Sequence, residues 1–270
     1  MQTTTRHGAA LAALLGSLGL LTTACDDSPA GEGRLAVTIY GEDYVEDRIP
    51  AADTIDGWEI TFDTFLVAVD GIAADGLELP GAFVFDLRPA SAGQGHPIGA
   101  IDVGAGEVET LDFTVGPASA EATGNASADA IATMAAAGDA MRVAGRAVRQ
   151  DVTVTFDWGF ATNTRYVACQ TRQDVPVDGE ATSQITIHAD HLFYDDLDSS
   201  TPNVAFDLVA AADADGDGAV TETELRAVDI TGETRYQVGS RDVGDLWSFI
   251  EVQTTTLGHI DGEGHCDVAR

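Results

Sequence analysis

The chain has 270 residues, of which 45 are Asp or Glu and 13 are Lys or Arg, so its formal net charge is −32 at pH 7. This acidic excess argues against nucleic acid as a partner, because phosphate binding requires clustered cations. The hydrophobic fraction of 44% is enough to form a buried core. No run of about 20 apolar residues follows the amino terminus, so no internal membrane span is expected.

The amino terminus has the features of a secretory signal. Residues 9–21 form an apolar run that is too short to span a membrane as a mature helix. The run ends at Leu21-Thr22-Thr23-Ala24-Cys25, and small residues before a cysteine resemble the lipobox of bacterial lipoprotein precursors. The resemblance implies that residues 1–24 are removed and that Cys25 carries the lipid anchor in the cell envelope, facing the periplasm or the outer surface. An ordinary secretory signal with a nearby cysteine is the alternative, and residues 25–33 are predicted to be a flexible tether.

Residues 34–190 are predicted to form an antiparallel β-sandwich, with an open barrel as the alternative. Many short strands separated by Gly and Asp turns, with few helices, are typical of this fold class. The run Phe65–Val69 is continuously apolar, which predicts a strand covered on both faces. Ser127 and Gly138 predict the start and end of an Ala-rich helix. The strands are predicted from alternating apolar and polar residues or from short apolar runs. They lie near residues 35–40, 58–69, 83–85, 111–115, 141–149, 152–158, 166–169 and 185–188.

Cysteine usage agrees with an exported protein. If Cys25 is lipidated, Cys169 and Cys266 remain, and a pair in an oxidising compartment is most simply a disulfide. Two free thiols, or thiolate ligands of a metal, are the alternatives, although no CxxC spacing indicates a metal cage.

The composition changes after residue 190 and helical spacing takes over from Val204. Residues 191–270 are therefore predicted to form a smaller helical region packed on the sheet. A helix is expected over about 242–256, where Trp247 and Ile250 share one face. Within this region, residues 213–224 read DADGDGAVTETE. Apolar residues at helical spacing precede and follow this segment, so a helix-loop-helix is expected over about 204–230.

Residues 213–224 match the EF-hand calcium loop at every signature position. Ca²⁺ takes six to eight oxygen ligands at about 2.3–2.6 Å, and Gly218 permits the sharp turn that the loop requires. Val220 is expected to point towards the hydrophobic core. The resemblance to the EF-hand family implies one Ca²⁺ ion and a ligand set of side-chain oxygens plus one backbone carbonyl, contributed by Asp213, Asp215, Asp217, Ala219 (carbonyl), Thr221 and Glu224.

An acidic surface loop that fits the pattern by chance is the alternative to a calcium site. EF-hands usually occur in pairs, and the sequence contains no second loop of this kind. A single loop beside a sheet is therefore expected to have a structural or modulatory role, with an affinity in the weak range of about 10⁻⁴–10⁻³ M seen for extracellular modules.

Four of the six histidines fall in two short segments. His188 and His191 follow the strand that ends at residue 187, and His259 and His265 lie in the Gly-rich tail before Cys266. Imidazoles at such spacing can hold copper or zinc. Local hydrogen bonds that position the chain after the strand are the alternative.

The sequence thus predicts an exported, lipid-anchored protein that binds calcium, with a periplasmic copper- or zinc-binding protein as the alternative function. An enzymatic function is not predicted, because no GxSxG, HExxH or P-loop pattern occurs. Calcium and, through the lipid, the membrane are the expected partners, and the sequence does not specify a protein partner.

Overall fold

The computed structural model describes residues 31–269 of the chain. The predicted signal peptide and the predicted lipidation site Cys25 lie outside these described residues. The described part is mainly β, and none of its helices is long and apolar enough to cross a bilayer. Its strands are β1 (Glu32–Tyr40), β2 (Glu59–Ala74), β3 (Leu77–Asp86), β4 (His96–Gly104), β5 (Gly106–Val115), β6 (Met141–Arg149), β7 (Val152–Phe160), β8 (Thr164–Val175), β9 (Glu180–Ile187), β10 (Ala219–Val220), β11 (Gly258–Ile260) and β12 (Asp267–Val268).

Within residues 31–269, five short α-helices connect or cover the strands. The longest, α2, is capped as predicted, because the Ser127 hydroxyl accepts a hydrogen bond from the Ala130 amide and Gly138 takes a left-handed conformation. The helices are α1 (Glu42–Glu46), α2 (Ala128–Ala137), α3 (Asp207–Ala211), α4 (Glu222–Ala227) and α5 (Leu246–Gln253), with 3₁₀ turns at Ala189–Phe193 and Thr254–Thr256.

The strands form two sheets that share one hydrophobic core. One sheet has the order β11-β9-β1-β4, and the other has the order β10-β7-β6-β2-β5-β8-β12 with β3 paired to β2. The mainly β prediction is therefore confirmed. Most pairs are antiparallel, but β1 pairs with β9 and β10 pairs with β7 in parallel. These partners are distant in the chain, so no hairpin sets their direction.

Strand β2 is buried on both faces at Phe65–Val69, as its continuous apolar run predicts. Phe65, Val67 and Val69 lie in the main core. Leu66 and Ala68 point to the opposite face, where they pack with Ile131 and Met134 of α2 and with Val84. Helix α2 therefore covers the side of the sheet that faces away from the main core.

The first strand begins at Glu32, so the prediction that a tether extends through residue 33 is wrong at its last two residues. Glu32 and Gly33 pair with Gly104 and Val103 of β4. Strand β4 itself was not predicted, because only Ile101 and Val103 of its nine residues are buried and the alternation is short.

The carboxy-terminal segment, predicted as helical, contains strands as well as helices. It supplies β10 and β12 to the larger sheet and β11 to the smaller sheet. The buried side chains of α5 belong to the same core as the strands. Helix α5 also starts later than predicted, at Leu246, because the Asp245 carboxylate caps it by accepting a hydrogen bond from the Ser248 amide.

The predicted disulfide is present between Cys169 of β8 and Cys266. The Cys169 side chain is fully buried. The bond lies beside the pairing of β12 with β8, in which Asp267 faces Val167. The end of the chain is thus attached covalently to the larger sheet.

Candidate metal centres

The acidic loop 213–224 lies on the edge of the larger sheet. It starts two residues after α3 and runs into α4, and both of these helices are short. Its middle residues, Ala219 and Val220, form β10 and pair in parallel with Thr155 and Phe156 of β7. The loop is therefore held in place by a strand of the main sheet.

Three of the predicted carboxylate ligands converge. One oxygen from each of Asp213, Asp215 and Glu224 lies within 4.8 Å of the others. Asp217 is oriented differently, since its Oδ1 accepts a hydrogen bond from the Ala219 amide at 2.8 Å. Thr221 is engaged with Glu224, to which its hydroxyl donates at 2.8 Å. The geometry thus brings three carboxylates into reach of one ion, while Asp217 and Thr221 make local hydrogen bonds.

The turn inside the loop depends on backbone amides and on glycine. The Gly216 amide donates to Asp213 Oδ1 at 2.8 Å and the Gly218 amide donates to Asp213 Oδ2 at 3.0 Å. Gly218 has a φ of 84°, a left-handed conformation that a side chain would strain. Asp213 is thereby fixed at the entry of the loop with both carboxylate oxygens directed inwards.

Glu224 closes the loop at the start of α4. Thr221 and Glu224 form a reciprocal capping box, in which each side chain accepts a hydrogen bond from the other residue's backbone amide. A further hydrogen bond comes from the Ala214 amide at 3.0 Å. Hydrogen bonds from the backbone and side chain of Thr221 lower the pKa of Glu224, so this carboxylate is ionised at neutral pH.

Further hydrogen bonds add to the β10–β7 pairing that attaches the loop to the sheet. The Gly218 carbonyl accepts from the Thr155 amide at 2.8 Å and from the Thr155 hydroxyl at 3.1 Å. The Val220 carbonyl accepts from the indole nitrogen of Trp158 at 2.9 Å, inside the core. The Val220 side chain is buried as predicted. The role of Trp158 was not foreseen, because no local pattern connects it to a loop about sixty residues later.

The predicted histidines form a second centre at another part of the molecule. His188 follows β9, His191 lies in the 3₁₀ turn, and His259 lies in β11, which pairs with β9. The ring centroids of His188 and His259 are 4.3 Å apart, and His191 lies 5.3 and 5.4 Å from these two rings. His265 is the outermost, with its centroid 6.4 Å from that of His259. All four histidines therefore lie at one end of the smaller sheet.

Comparison with family models, with curated proteins and with solved structures finds no match for this chain. The interpretation of both centres therefore depends on their own geometry and donor atoms. The loop 213–224 offers oxygen ligands, which suit hard cations such as calcium. The histidine cluster offers imidazole nitrogen, which suits zinc, copper and related ions.

Carboxylates surround the histidine cluster. Donor atoms of His188, Asp190 and His191 lie within 4.8 Å of one another, and so do donor atoms of His188, His259 and Glu263. Glu42 of α1 also approaches His188, with its Oε2 at 3.8 Å from His188 Nδ1. Sequence reasoning missed Glu42 and Glu263. Glu263 could have been found from its position between the two histidines of the tail, whereas Glu42 gives no such signal.

Burial sets the protonation of these groups. It lowers the pKa of His191 and His259 to about 4 in each case, and the neighbouring His188 adds to the effect. Burial also raises the pKa of Glu42. His191 and His259 are thus neutral at pH 7, the state in which an imidazole nitrogen has a lone pair to donate.

Proposed function

We propose that this protein is an exported, lipid-anchored calcium-binding protein that holds one Ca²⁺ ion in residues 213–224, within a helix-loop-helix of EF-hand type. The observation that carries the proposal is the convergence of Asp213, Asp215 and Glu224 within 4.8 Å, at the spacing of the calcium loop.

The charges of the loop favour a cation. Three carboxylates in close contact repel one another, and the amide hydrogen bonds to Asp213 and Glu224 compensate only part of that cost. A divalent ion at their centre removes the repulsion and uses the remaining lone pairs. The affinity should therefore depend on the number of carboxylates, as in other calcium loops.

The attachment of the loop to the sheet supports a structural or modulatory role. Strand β7 pairs with β10, and Trp158 holds the Val220 carbonyl from within the core. A loop held in this way has little freedom to open a large groove on binding. Calcium is expected to stabilise the loop and the adjacent edge of the larger sheet.

Terbium luminescence tests the proposal, because Tb³⁺ occupies oxygen-rich calcium sites and is excited by a nearby tryptophan. Trp158 contacts the loop through Val220, so excitation of tryptophan is expected to give terbium emission that calcium competes away. Glu224→Gln and Asp213→Asn each remove one charged ligand. Each variant is expected to lose most of the emission at terbium concentrations that saturate the wild-type protein.

Asp242→Asn is the matched control, because Asp242 is an exposed carboxylate outside the loop. It removes the same charge and should leave the emission unchanged. Two outcomes would show that terbium binds elsewhere and would contradict the calcium site. In the first, calcium does not displace the terbium emission. In the second, Glu224→Gln retains as much emission as Asp242→Asn.

The proposed membrane attachment depends on Cys25 and has its own test. Acyl chains anchor a protein by about 0.8 kcal/mol per buried methylene, so two or more chains hold it stably. Cys25→Ser is expected to move nearly all of the protein from the membrane pellet to the soluble fraction of a bacterial host. The double variant Cys169→Ser/Cys266→Ser should stay in the pellet. If Cys25→Ser also sediments with the membrane, the lipid anchor is wrong.

A further inference from the structure

The histidine cluster has the construction of a metal site that is separate from the calcium loop. It combines residues from three places that are distant in sequence, which are α1, the 3₁₀ turn that follows β9, and β11 with the turn after it. His188 is at its centre and only 6% exposed. His188 belongs to both groups of three possible metal ligands, the one with Asp190 and His191 and the one with His259 and Glu263. A surface cluster formed by chance would not have a buried histidine as the member common to both groups.

The hydrogen bonds of His188 and His191 leave one nitrogen of each ring available. The Thr256 hydroxyl donates its proton to the Gln253 carbonyl at 2.9 Å. Its oxygen must therefore accept the hydrogen bond from His191 Nδ1, also at 2.9 Å. This arrangement fixes the tautomer and places the lone pair of His191 on Nε2.

His188 follows the same logic. His188 Nε2 lies 3.3 Å from the Gly262 carbonyl, which can only accept, so Nε2 carries the proton and Nδ1 carries the lone pair. Among residues 31–269, the buried Nδ1 of His259 and the buried Oδ1 of Asp190 have no hydrogen-bond partner. A histidine that donates one N–H to a carbonyl or hydroxyl and keeps the other nitrogen free is typical of a metal ligand.

The spacing of the donor atoms also fits an ion. His188 Nδ1 and Glu42 Oε2 are 3.8 Å apart, too far for a hydrogen bond. Two ligands at about 2.0–2.2 Å from one zinc ion are separated by roughly 3.3–4 Å. The Glu42 side chain is 31% exposed and lines an open cavity of about 230 Å³, so this side of the cluster is accessible from outside.

We propose that this cluster binds one divalent transition-metal ion of the zinc and copper class. His188 and His259 provide imidazole nitrogen, and Glu263 provides carboxylate oxygen from the turn that follows β11. His191 and Asp190 form a second group with His188, and Glu42, whose Oε2 lies 3.8 Å from His188 Nδ1, can complete the coordination. Calcium is excluded from this site, because it prefers an all-oxygen shell. The disulfide at Cys266 holds the end of the tail that carries Glu263 and His265.

Calorimetric titration of tag-free, chelator-treated protein with zinc alone, and separately with copper(II) alone, tests the proposal. Saturating calcium is kept present so that the loop 213–224 is occupied. One equivalent of zinc is expected to bind, and copper is expected to bind more tightly. His188→Gln and His259→Gln should each weaken zinc binding by more than about 100-fold, because even changes beyond the ligands cost about 10–100-fold.

His96→Gln is the matched control, since His96 lies on β4 outside both ligand groups and should leave zinc affinity unchanged. The variant Glu224→Gln should also retain zinc, which separates this site from the calcium proposal. Copper(II) electron paramagnetic resonance of the wild-type protein needs no variant, and nitrogen couplings from at least two imidazoles are expected. Less than stoichiometric binding of either metal, equal loss in His96→Gln and His188→Gln, or a copper spectrum without nitrogen coupling would overturn the site.

Discussion

Replacing Trp158 with alanine is expected to lower the free energy of unfolding by about 3–5 kcal/mol and to weaken calcium binding. The side chain is 1% exposed, and its ring stacks on Phe156 with centroids 4.7 Å apart. Its removal leaves a cavity between the larger sheet and α5, whose Trp247 also contacts it. It also deprives the Val220 carbonyl of its donor. One hydrogen bond is worth about 0.5–1.5 kcal/mol, so calcium affinity should fall by up to about tenfold.

Two further variants separate the packing effect from the effect on the loop. Phe113→Ala removes a fully buried ring that stacks on Tyr166 at 4.7 Å. It should destabilise the fold to a similar extent and leave calcium affinity unchanged. Trp158→Phe retains most of the packing but lacks the indole N–H. Denaturant unfolding and calcium titration of the three variants check the expectation, and equal calcium affinity in Trp158→Phe and the wild type would contradict the role of Trp158.

Removing the disulfide by Cys169→Ala/Cys266→Ala is expected to cost about 4–5 kcal/mol of stability on the chain-entropy model. The two cysteines are 97 residues apart in sequence, so the bond restricts the unfolded chain strongly. In the folded protein, loss of the disulfide should make β12 and the segment that carries Glu263 and His265 more mobile. Urea unfolding is expected to show a lower midpoint in the variant than in the oxidised wild type.

A reductant provides the control for the disulfide. It should move the wild type towards the midpoint of the double variant, and it should not change the double variant itself. A midpoint of the double variant within experimental error of the oxidised wild type would mean that strand pairing alone holds the tail.

The parts of the molecule that sequence reasoning predicted correctly depend on neighbours in the chain. The cap of α2 and the double-sided burial of Phe65–Val69 are encoded within a few residues. The convergence of Asp213, Asp215 and Glu224 also follows from the spacing within one loop. The pairing of Cys169 with Cys266 was predictable only because few cysteines remain.

The parts that sequence reasoning missed depend on distant contacts. The parallel pairing of β1 with β9 and of β10 with β7 brings together segments that no turn connects. Glu42 approaches His188 only because β1 and β9 are neighbours in the sheet. The carboxy-terminal segment reads as helical, yet its short strands join both sheets. Their two or three residues are too few for a periodic pattern.

Hydrogen exchange of the wild type and of Glu224→Gln, with and without calcium, tests the central claim most directly. The Gly216 and Gly218 amides donate to Asp213, and the Thr155 amide donates to the Gly218 carbonyl. With calcium at ten times its Kd, these amides of the wild type are expected to exchange about tenfold more slowly, while those of α2 are unchanged. The slowing should disappear in Glu224→Gln. If the amides of Gly216, Gly218 and Thr155 exchange at the same rates with and without calcium, residues 213–224 do not hold a calcium ion against β7.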